Sequence, residues 1–269
     1  MSAYLYGIRY NKETRLGTGF LWKRFVSISC MTYPLLAIVF VCSVIKQSEN
    51  ITQYAISLLA ELTYLHDFIG PHLPEMGHLW YLQSLLLCYI ALTICTRVRF
   101  IRRLFTTPWT IIMLFAVVLG FGLIYRGSIL PYIYFYLLVF YNAKLIKKLY
   151  SNRKVTIVVS ILLLLIHFAV VSTNYLNSFH YAIYLWFVQS LLFSILLIGI
   201  FQNISCILPK TRMVSYCASL TMAFYLVQQF FAFHWGFCLG FIMTIICSIG
   251  LDYLGRKIKK CVLQLYEKN

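Results

Sequence analysis

The side chains that could act as acids or bases are most concentrated in the segment 66–81, HDFIGPHLPEMGHLWY. A proline followed by an acidic residue is typical of the first turn of a helix, so we predict that a helix begins at Pro74. Glu75 and His78 would then share one helical face, and a carboxylate beside an imidazole can take a proton from a hydroxyl. The alternative is an interfacial loop with solvated histidines. The spacing of its three histidines matches no familiar metal site, so we expect no metal.

A second polar group lies inside an apolar stretch that contains Tyr225 and Gln228. An amide in hydrocarbon usually faces a partner helix or a cavity. If this helix starts at Met213 on the cytoplasmic side, Gln228 lies about 22 Å into a hydrocarbon core of about 30 Å. We therefore place Gln228 in the same outer layer as His78, with Trp80 and Tyr225 as further pocket walls. An ordinary interhelical hydrogen bond is the alternative.

The third candidate group is cationic and precedes the first long apolar run. Lys23 and Arg24 follow Leu21 and Trp22 directly. Lysine and arginine at such a position can bind the phosphates of a donor molecule. Their alternative role is to orient the chain and to contact lipid headgroups.

The composition identifies the environment that these groups occupy. Of 269 residues, 61% are hydrophobic and only 11% are charged. An ordinary globular chain is about 45–50% apolar and about 25% charged, so this chain has too few charges to cover a water-facing surface. The apolar runs are continuous, which excludes the alternating pattern of a transmembrane barrel. We predict an all-α, polytopic transmembrane helical bundle.

Windows of about 20 apolar residues predict eight membrane spans. They are Phe25–Ile45, His78–Cys95, Trp109–Tyr125, Ser128–Ala143, Val155–Ser172, Tyr181–Ile200, Met213–Phe231 and Ala232–Leu254. In a soluble chain the net charge of +16 would suggest binding to nucleic acid. Here all Lys and Arg residues except Lys46 and Arg126 lie in the loops of one alternating set, which face the same side of the membrane. By the positive-inside rule both termini are cytoplasmic, and we expect membrane lipids rather than nucleic acid as partners.

We predict a single domain over residues 1–269. Its loops on the two sides of the membrane differ in charge. Residues 1–24 and 255–269 form basic cytoplasmic segments, whereas residues 46–77 form the one long outer loop, which holds four of the seven acidic residues. Within that loop, residues 51–65 have helical apolar spacing, so we predict an interfacial or partly inserted helix. The apolar residues 1–8 resemble the end of a helix whose body is absent.

Three segments in order resemble the acyltransferase-3 family of integral membrane acyltransferases. Residues 1–7 (MSAYLYG) resemble the family's F-S-G-[FY]-L pattern, which an Arg-containing turn follows, here Lys23 and Arg24. Residues 77–82 (GHLWYL) resemble its H-L-W-[FY]-L signature. Residues 219–229 (SLTMAFYLVQQ) resemble its late S-x-x-x-Y-L-x-H segment.

This resemblance implies about ten helices. It also implies transfer of an acyl group, usually acetyl from cytosolic acetyl-CoA, to a hydroxyl at the outer face. The chain departs from the family pattern at several points. It begins after the first helix, which carries an Arg and a His in the family. Gln228 replaces the late His, Ala3 replaces a Gly, and Ser27 replaces the second Arg of an R-x-x-R turn. Either the gene start is misassigned or truncated, or the chain is a degenerate homologue.

Together these observations predict an O-acyltransferase of the bacterial inner (cytoplasmic) membrane. Acyl-CoA is the expected donor, no cofactor is bound, and a glycan or glycolipid is the expected acceptor. Lys23 and Arg24 would bind the donor, His78 and Glu75 would act on the acceptor, and Trp80, Tyr225 and Gln228 would line the pocket. The alternatives are a polysaccharide or lipid transporter, for which we see no inverted repeat, and a non-catalytic homologue.

Overall fold

The computed structural model describes residues 2–10, 15–46, 50–65, 72–74, 76–124, 129–176, 196, 199, 216, 220–228 and 237–268. Nearly all of these residues are helical, and none of them lies in a strand. The all-α prediction is confirmed for this part of the chain. The predicted spans 181–200 and 213–231 lie largely outside the described residues.

The helices with described boundaries are labelled here in chain order. They are α1 (Ser2–Arg9), α2 (Thr18–Lys46), α3 (Ile51–Leu62), α4 (Trp80–Cys95), α5 (Arg99–Thr106), α6 (Pro108–Ile124), α7 (Leu130–Ser151), α8 (Arg153–Leu176) and α9 (Phe237–Lys268). A 3-10 turn, Gly77–Leu79, precedes α4. Residues 220–228 are also helical.

Two of the described helices are long and apolar enough to cross a membrane, namely α2 and the portion Leu239–Leu265 of α9. A third candidate exists if α4 and α5, which meet at a bend of 112°, count as one broken span. Pro34 lies inside α2. A proline leaves one backbone carbonyl without its helical hydrogen bond, and membrane helices tolerate this because neighbouring groups bind that carbonyl. The chain is therefore a helical membrane protein, while the count of eight spans and the orientation of the termini stay predictions.

Two local predictions have clear outcomes. The apolar spacing of residues 51–65 predicted a helix, and α3 confirms it over Ile51–Leu62. The prediction that a helix begins at Pro74 is wrong, because Pro74 lies in a turn and helical structure begins only at Gly77. A proline fits the first helical turn, but its fixed φ fits an isolated turn equally well.

The chain forms two compact units, each of which has its own packing. The first contains Met1–Gly17 and Ile90–Pro209. In it, α1 packs on α7 at Gly7, where an added Cβ would lie 2.3 Å from the Phe140 carbonyl oxygen and 2.5 Å from Ala143 Cβ. Small residues at such a contact allow two helix backbones to approach closely.

The second unit contains Thr18–Tyr89 and Lys210–Asn269. Here α2 packs on both α3 and α9. α9 approaches α2 closely at Gly255, where a Cβ would lie 2.7 Å from Met31 Cγ and 3.3 Å from the Cys30 carbonyl oxygen. All of the predicted site residues, and the polar contacts of the candidate site, belong to this second unit.

Candidate functional site

A buried carboxylate and an imidazole meet in the predicted outer loop. Glu61 Oε1 lies 3.0 Å from His72 Nδ1, and the two side chains are 0% and 34% exposed, respectively. The carboxylate is held inside the unit while the imidazole reaches the surface. In this arrangement a carboxylate fixes the orientation of the imidazole ring, and the ring is the group that can exchange a proton with a ligand.

This pair was not predicted from the sequence, although a local signal for Glu61 was present. The buried residues of α3 are Ser57, Ala60 and Glu61, which follow the i, i+3, i+4 spacing of one helical face. Small residues on that face leave room for a longer side chain to point inward. The partner His72 carries no such signal, because it comes from a non-helical segment after the end of α3.

The end of α3 is shaped by Tyr64, which has a positive φ of 55°. This left-handed conformation costs energy for a residue with a side chain, and the surroundings compensate. The Tyr64 hydroxyl lies 3.2 Å from Ser29 Oγ, and the neighbouring Tyr33 hydroxyl donates to the Leu62 carbonyl oxygen at 2.9 Å. Burial raises the pKa of Tyr64 to about 12, so its phenol is neutral at physiological pH and anchors the turn.

The segment that follows leads from His72 to the predicted catalytic residues. Leu73, Met76 and Leu79 are almost completely buried. These three side chains, spaced three residues apart, anchor the segment in the interior of the unit. His78 lies in the 3-10 turn that this stretch forms. Its side chain and the whole of Glu75 lie outside the described residues, and their catalytic roles stay predictions.

The predicted pocket residues lie beside this turn. Trp80 is the first residue of α4 and is 39% exposed. Tyr81 packs edge-to-face on Tyr225, with ring centroids 5.5 Å apart. Gln228, three residues further along the same helical segment, is half-buried. The aromatic contact thus brings the segment that carries Gln228 against the start of α4, as expected if both border one pocket.

The predicted donor-binding cations lie near the start of α2. Lys23 is exposed, whereas Arg24 is half-buried with its guanidinium carbon 5.4 Å from the centre of the Phe20 ring. A contact of this kind holds a guanidinium in place without neutralising its charge. One turn later, Ser27 Oγ accepts a hydrogen bond of 3.0 Å from Lys259 Nζ of α9.

Lys259 was not predicted as a site residue, because in the sequence it is one of several cations of the basic tail. Its partner Ser27 is the position where the family pattern would have a second Arg. A further charged contact of this helix end is an ion pair between Arg256 and Asp252, one turn apart on α9. Among the described residues, no three His, Cys, Asp or Glu side chains are grouped closely enough to hold a metal ion.

The helices and their polar contacts define the class of this chain as a helical membrane protein with separate cationic and carboxylate–imidazole groups. A family model described as an acyltransferase domain, of the acyltransferase-3 type, matches residues 1–253. The chain therefore belongs to the acyltransferase-3 family, which confirms the resemblance seen in the sequence. Neither a curated protein nor a solved structure matches the chain.

Proposed function

We propose that this protein transfers an acyl group, acetyl in the simplest case, from cytosolic acyl-CoA to a hydroxyl of a cell-surface glycan or glycolipid. The observation that carries the proposal is the family match, which extends over residues 1–253. The separation of charges in the sequence supports it, since a phosphorylated donor suits the basic segments and a proton acceptor suits the histidine-containing loop. We place the protein in the inner (cytoplasmic) membrane as a multi-pass protein.

The proposed reaction needs one proton acceptor and one electrophile. The acceptor hydroxyl gives its proton to the imidazole of His78, which Glu75 assists, and the hydroxyl oxygen attacks the carbonyl carbon of the thioester. The carbon–sulfur bond breaks, the acyl group stays on the acceptor oxygen, and the coenzyme thiolate takes up the proton. Lys23 and Arg24 bind the donor phosphates, while Trp80, Tyr225 and Gln228 form the pocket wall.

The Glu61–His72 pair lies close in the chain to the proposed catalytic residue His78. His72 stands six residues before His78, and its contact with the buried Glu61 joins the intervening segment to α3. The buried side chains of Leu73 and Met76 reinforce the same attachment. We therefore assign Glu61 and His72 a positioning role for the turn that contains His78.

The function is tested by combining donor binding with transfer. We expect calorimetric titration to detect binding of acetyl-CoA and none of acetate. We expect His78→Gln and Glu75→Gln to retain donor binding while acetyl transfer to membrane glycans falls about 10²–10⁴-fold, the usual contribution of a general base. If acetyl-CoA does not bind, and deletion of the gene reduces glycolipid export without changing glycan acetylation, the protein is a transporter.

The orientation is tested separately by labelling with a membrane-impermeant thiol reagent. Cys261 is exposed near the end of α9, and we expect it to react only when the cytoplasmic side is open to the reagent. A cysteine introduced at Asn50 should react in intact cells. Labelling of Cys261 from outside would reverse the assignment of the loops to the two sides.

A further inference from the structure

The helix α5 is a short cationic segment between two uncharged apolar helices. Neither α4 nor α6 contains Asp, Glu, Lys or Arg, so both suit a hydrocarbon environment, whereas α5 contains three arginines in eight residues. α5 is also turned by 112° from the axis of α4. A helix turned through that angle from a membrane-crossing helix runs nearly along the membrane surface, where its charged side chains meet water and lipid headgroups.

The inner face of α5 is anchored within the first unit. Ile101 and Leu104 are half-buried and Phe105 is buried, which is the i, i+3, i+4 spacing of one helical face. The Phe105 ring stacks on Tyr141 of α7 with ring centroids 5.8 Å apart, and its carbonyl oxygen accepts a hydrogen bond of 2.8 Å from Asn142 Nδ2. These contacts fix the rotation of α5 about its own axis and thereby decide which of its residues face outward.

The outer face of α5 combines positive charge with exposed aromatic rings. Arg99 and Arg103 are both exposed and, being four residues apart, share one helical face. Phe100, next to that face, is 67% exposed, and Trp109 at the start of α6 is 77% exposed. Cations beside exposed aromatic rings are typical of segments at a membrane interface, where the rings lie at the level of the lipid headgroups.

The first unit has almost no acidic residues to balance these cations. Across Met1–Gly17 and Ile90–Pro209 the one acidic residue in the sequence is Glu13, while positions 97–103 alone have four arginines. Glu13 lies outside the described residues, so no described carboxylate of this unit exists to pair with Arg99 or Arg103. A surface with such an excess of positive charge attracts anions.

We propose that Arg99 and Arg103 bind the headgroup phosphate of an anionic phospholipid, with Phe100 and Trp109 in contact with the ester and upper acyl region of the same lipid layer. Side chains four apart on a helix begin about 5–6 Å from each other, so two long arginines can converge on one phosphate, which a guanidinium binds through two hydrogen bonds. A zwitterionic headgroup suits the site less, because it brings its own ammonium. The inference is independent of the proposed transfer reaction, which uses none of these four residues.

The headgroup preference is tested by adding one lipid at a time to the full chain. We would purify the protein in a neutral detergent without phospholipid and measure lipid binding by native mass spectrometry. Phosphatidylglycerol and phosphatidylcholine with identical acyl chains are the matched ligands, since their headgroups differ in net charge. We expect phosphatidylglycerol to bind at least about tenfold more tightly, because each cation near an anionic lipid contributes about fivefold in affinity.

Charge variants locate the site on α5. Arg99→Gln with Arg103→Gln should weaken the tightest phosphatidylglycerol binding about tenfold and leave phosphatidylcholine binding unchanged. Lys144→Gln with Lys148→Gln is the matched control, because it removes two exposed cations four residues apart on α7 of the same unit, and it should change the affinity less than about twofold. Equal losses in the two double variants would mean that only net charge matters, and would overturn the site. The thermal unfolding midpoint of each variant checks that it is folded.

A substitution of the exposed ring separates contact with the acyl region from contact with the headgroup. Phe100→Ser should weaken both lipids by the same factor, about threefold, since the ring contacts the part that the two lipids share. Arg99→Lys with Arg103→Lys keeps both charges and should stay within about threefold of the wild type for phosphatidylglycerol. A loss in this variant as large as that in the Gln pair, or no change of either lipid in Phe100→Ser, would contradict the proposed contacts.

Other occupants of this face give different results. If inorganic phosphate or coenzyme A displaces phosphatidylglycerol when added at the same concentration, the site takes a soluble phosphate and the inference is wrong. If neither lipid is preferred and the protein is a dimer that dissociates in Arg99→Gln with Arg103→Gln, the face contacts a second copy of the chain and the inference is equally wrong. Absence of acyl transfer in a protein with intact lipid selectivity would contradict the proposed function alone.

Discussion

In two helix pairs of this molecule the helices approach each other closely at a glycine, but the residues around the two glycines differ. In one unit α1 approaches α7 at Gly7, and in the other α9 approaches α2 at Gly255. In each pair a side-chain hydrogen bond also joins the two helices. Ser2 Oγ donates to the Tyr136 hydroxyl at 3.4 Å in the first pair, and Lys259 Nζ donates to Ser27 Oγ at 3.0 Å in the second.

The surroundings of the two glycines are what differ. Near Gly7 the contacts are apolar, with Tyr4 and Ala143 buried and Ile8, Val139 and Ile146 packed around them. Around Gly255 the same close approach brings an ammonium to a hydroxyl, one turn away from two more cations. A glycine contact therefore fixes the distance between two helices, and the residues one turn away decide whether the interface is apolar or polar.

The largest effect is expected from Gly7→Ala. The new methyl group would lie 2.3 Å from a backbone carbonyl oxygen, which cannot move without shifting α7, and overpacking of this kind costs about 1–3 kcal/mol or more. We expect a lower thermal unfolding midpoint and faster tryptic cleavage after the exposed Arg9. Gly120→Ala is the control, because nothing lies within 4 Å of its Cβ position. A Gly7→Ala protein as stable as the control would show that α1 does not need this contact.

The next largest effect concerns donor binding by the second unit. Replacing both Lys23 and Arg24 by Ala should weaken acetyl-CoA binding at least about tenfold at low salt, and added salt should shrink the difference, as it does for exposed charges. Lys144→Ala with Lys148→Ala removes two exposed cations from α7 in the first unit and should leave the affinity unchanged. Equal losses in both double variants would indicate a response to total charge instead of a site.

A smaller loss of stability is expected from Gly255→Ala than from Gly7→Ala. The nearest atom is Met31 Cγ at 2.7 Å, and the nearest backbone atom is 3.3 Å away, so a side-chain shift relieves part of the clash. The thermal unfolding midpoint of Gly255→Ala should therefore lie between those of the wild type and Gly7→Ala. Gly250→Ala, on the same helix with open space around its Cβ position, is the control and can stabilise the helix by up to about 1 kcal/mol.

The smallest effects are expected from the two hydrogen bonds between helices. Tyr136→Phe should change the unfolding free energy by less than about 0.5 kcal/mol, since the bond of 3.4 Å is long and a typical one contributes about 0.5–1.5 kcal/mol. Ser27→Ala should cost more, up to about 1.5 kcal/mol, because its bond of 3.0 Å is shorter and the donor is a charged ammonium. A loss of stability for Tyr136→Phe as large as that for Ser27→Ala would remove the distinction between the helix pairs.

The sequence by itself determined the class of the protein and several of its elements. Continuous apolar runs with so few charges are incompatible with any surface except one facing lipid, and the helical bundle follows from them. The periodicity of residues 51–65 was sufficient to locate α3. The order of three short motifs was sufficient to identify the family that the match over residues 1–253 shows.

Only the tertiary structure decided which polar groups meet. Helical periodicity reports the neighbours of a residue within about one turn, so it locates Glu61 on the buried face of α3 but cannot choose His72 as its partner. The bond between Lys259 and Ser27 depends on the antiparallel register of two helices at opposite ends of the chain. That register depends on the close approach of the two helices at Gly255, which lies against Cys30 and Met31, and no local pattern in the sequence records which two helices meet.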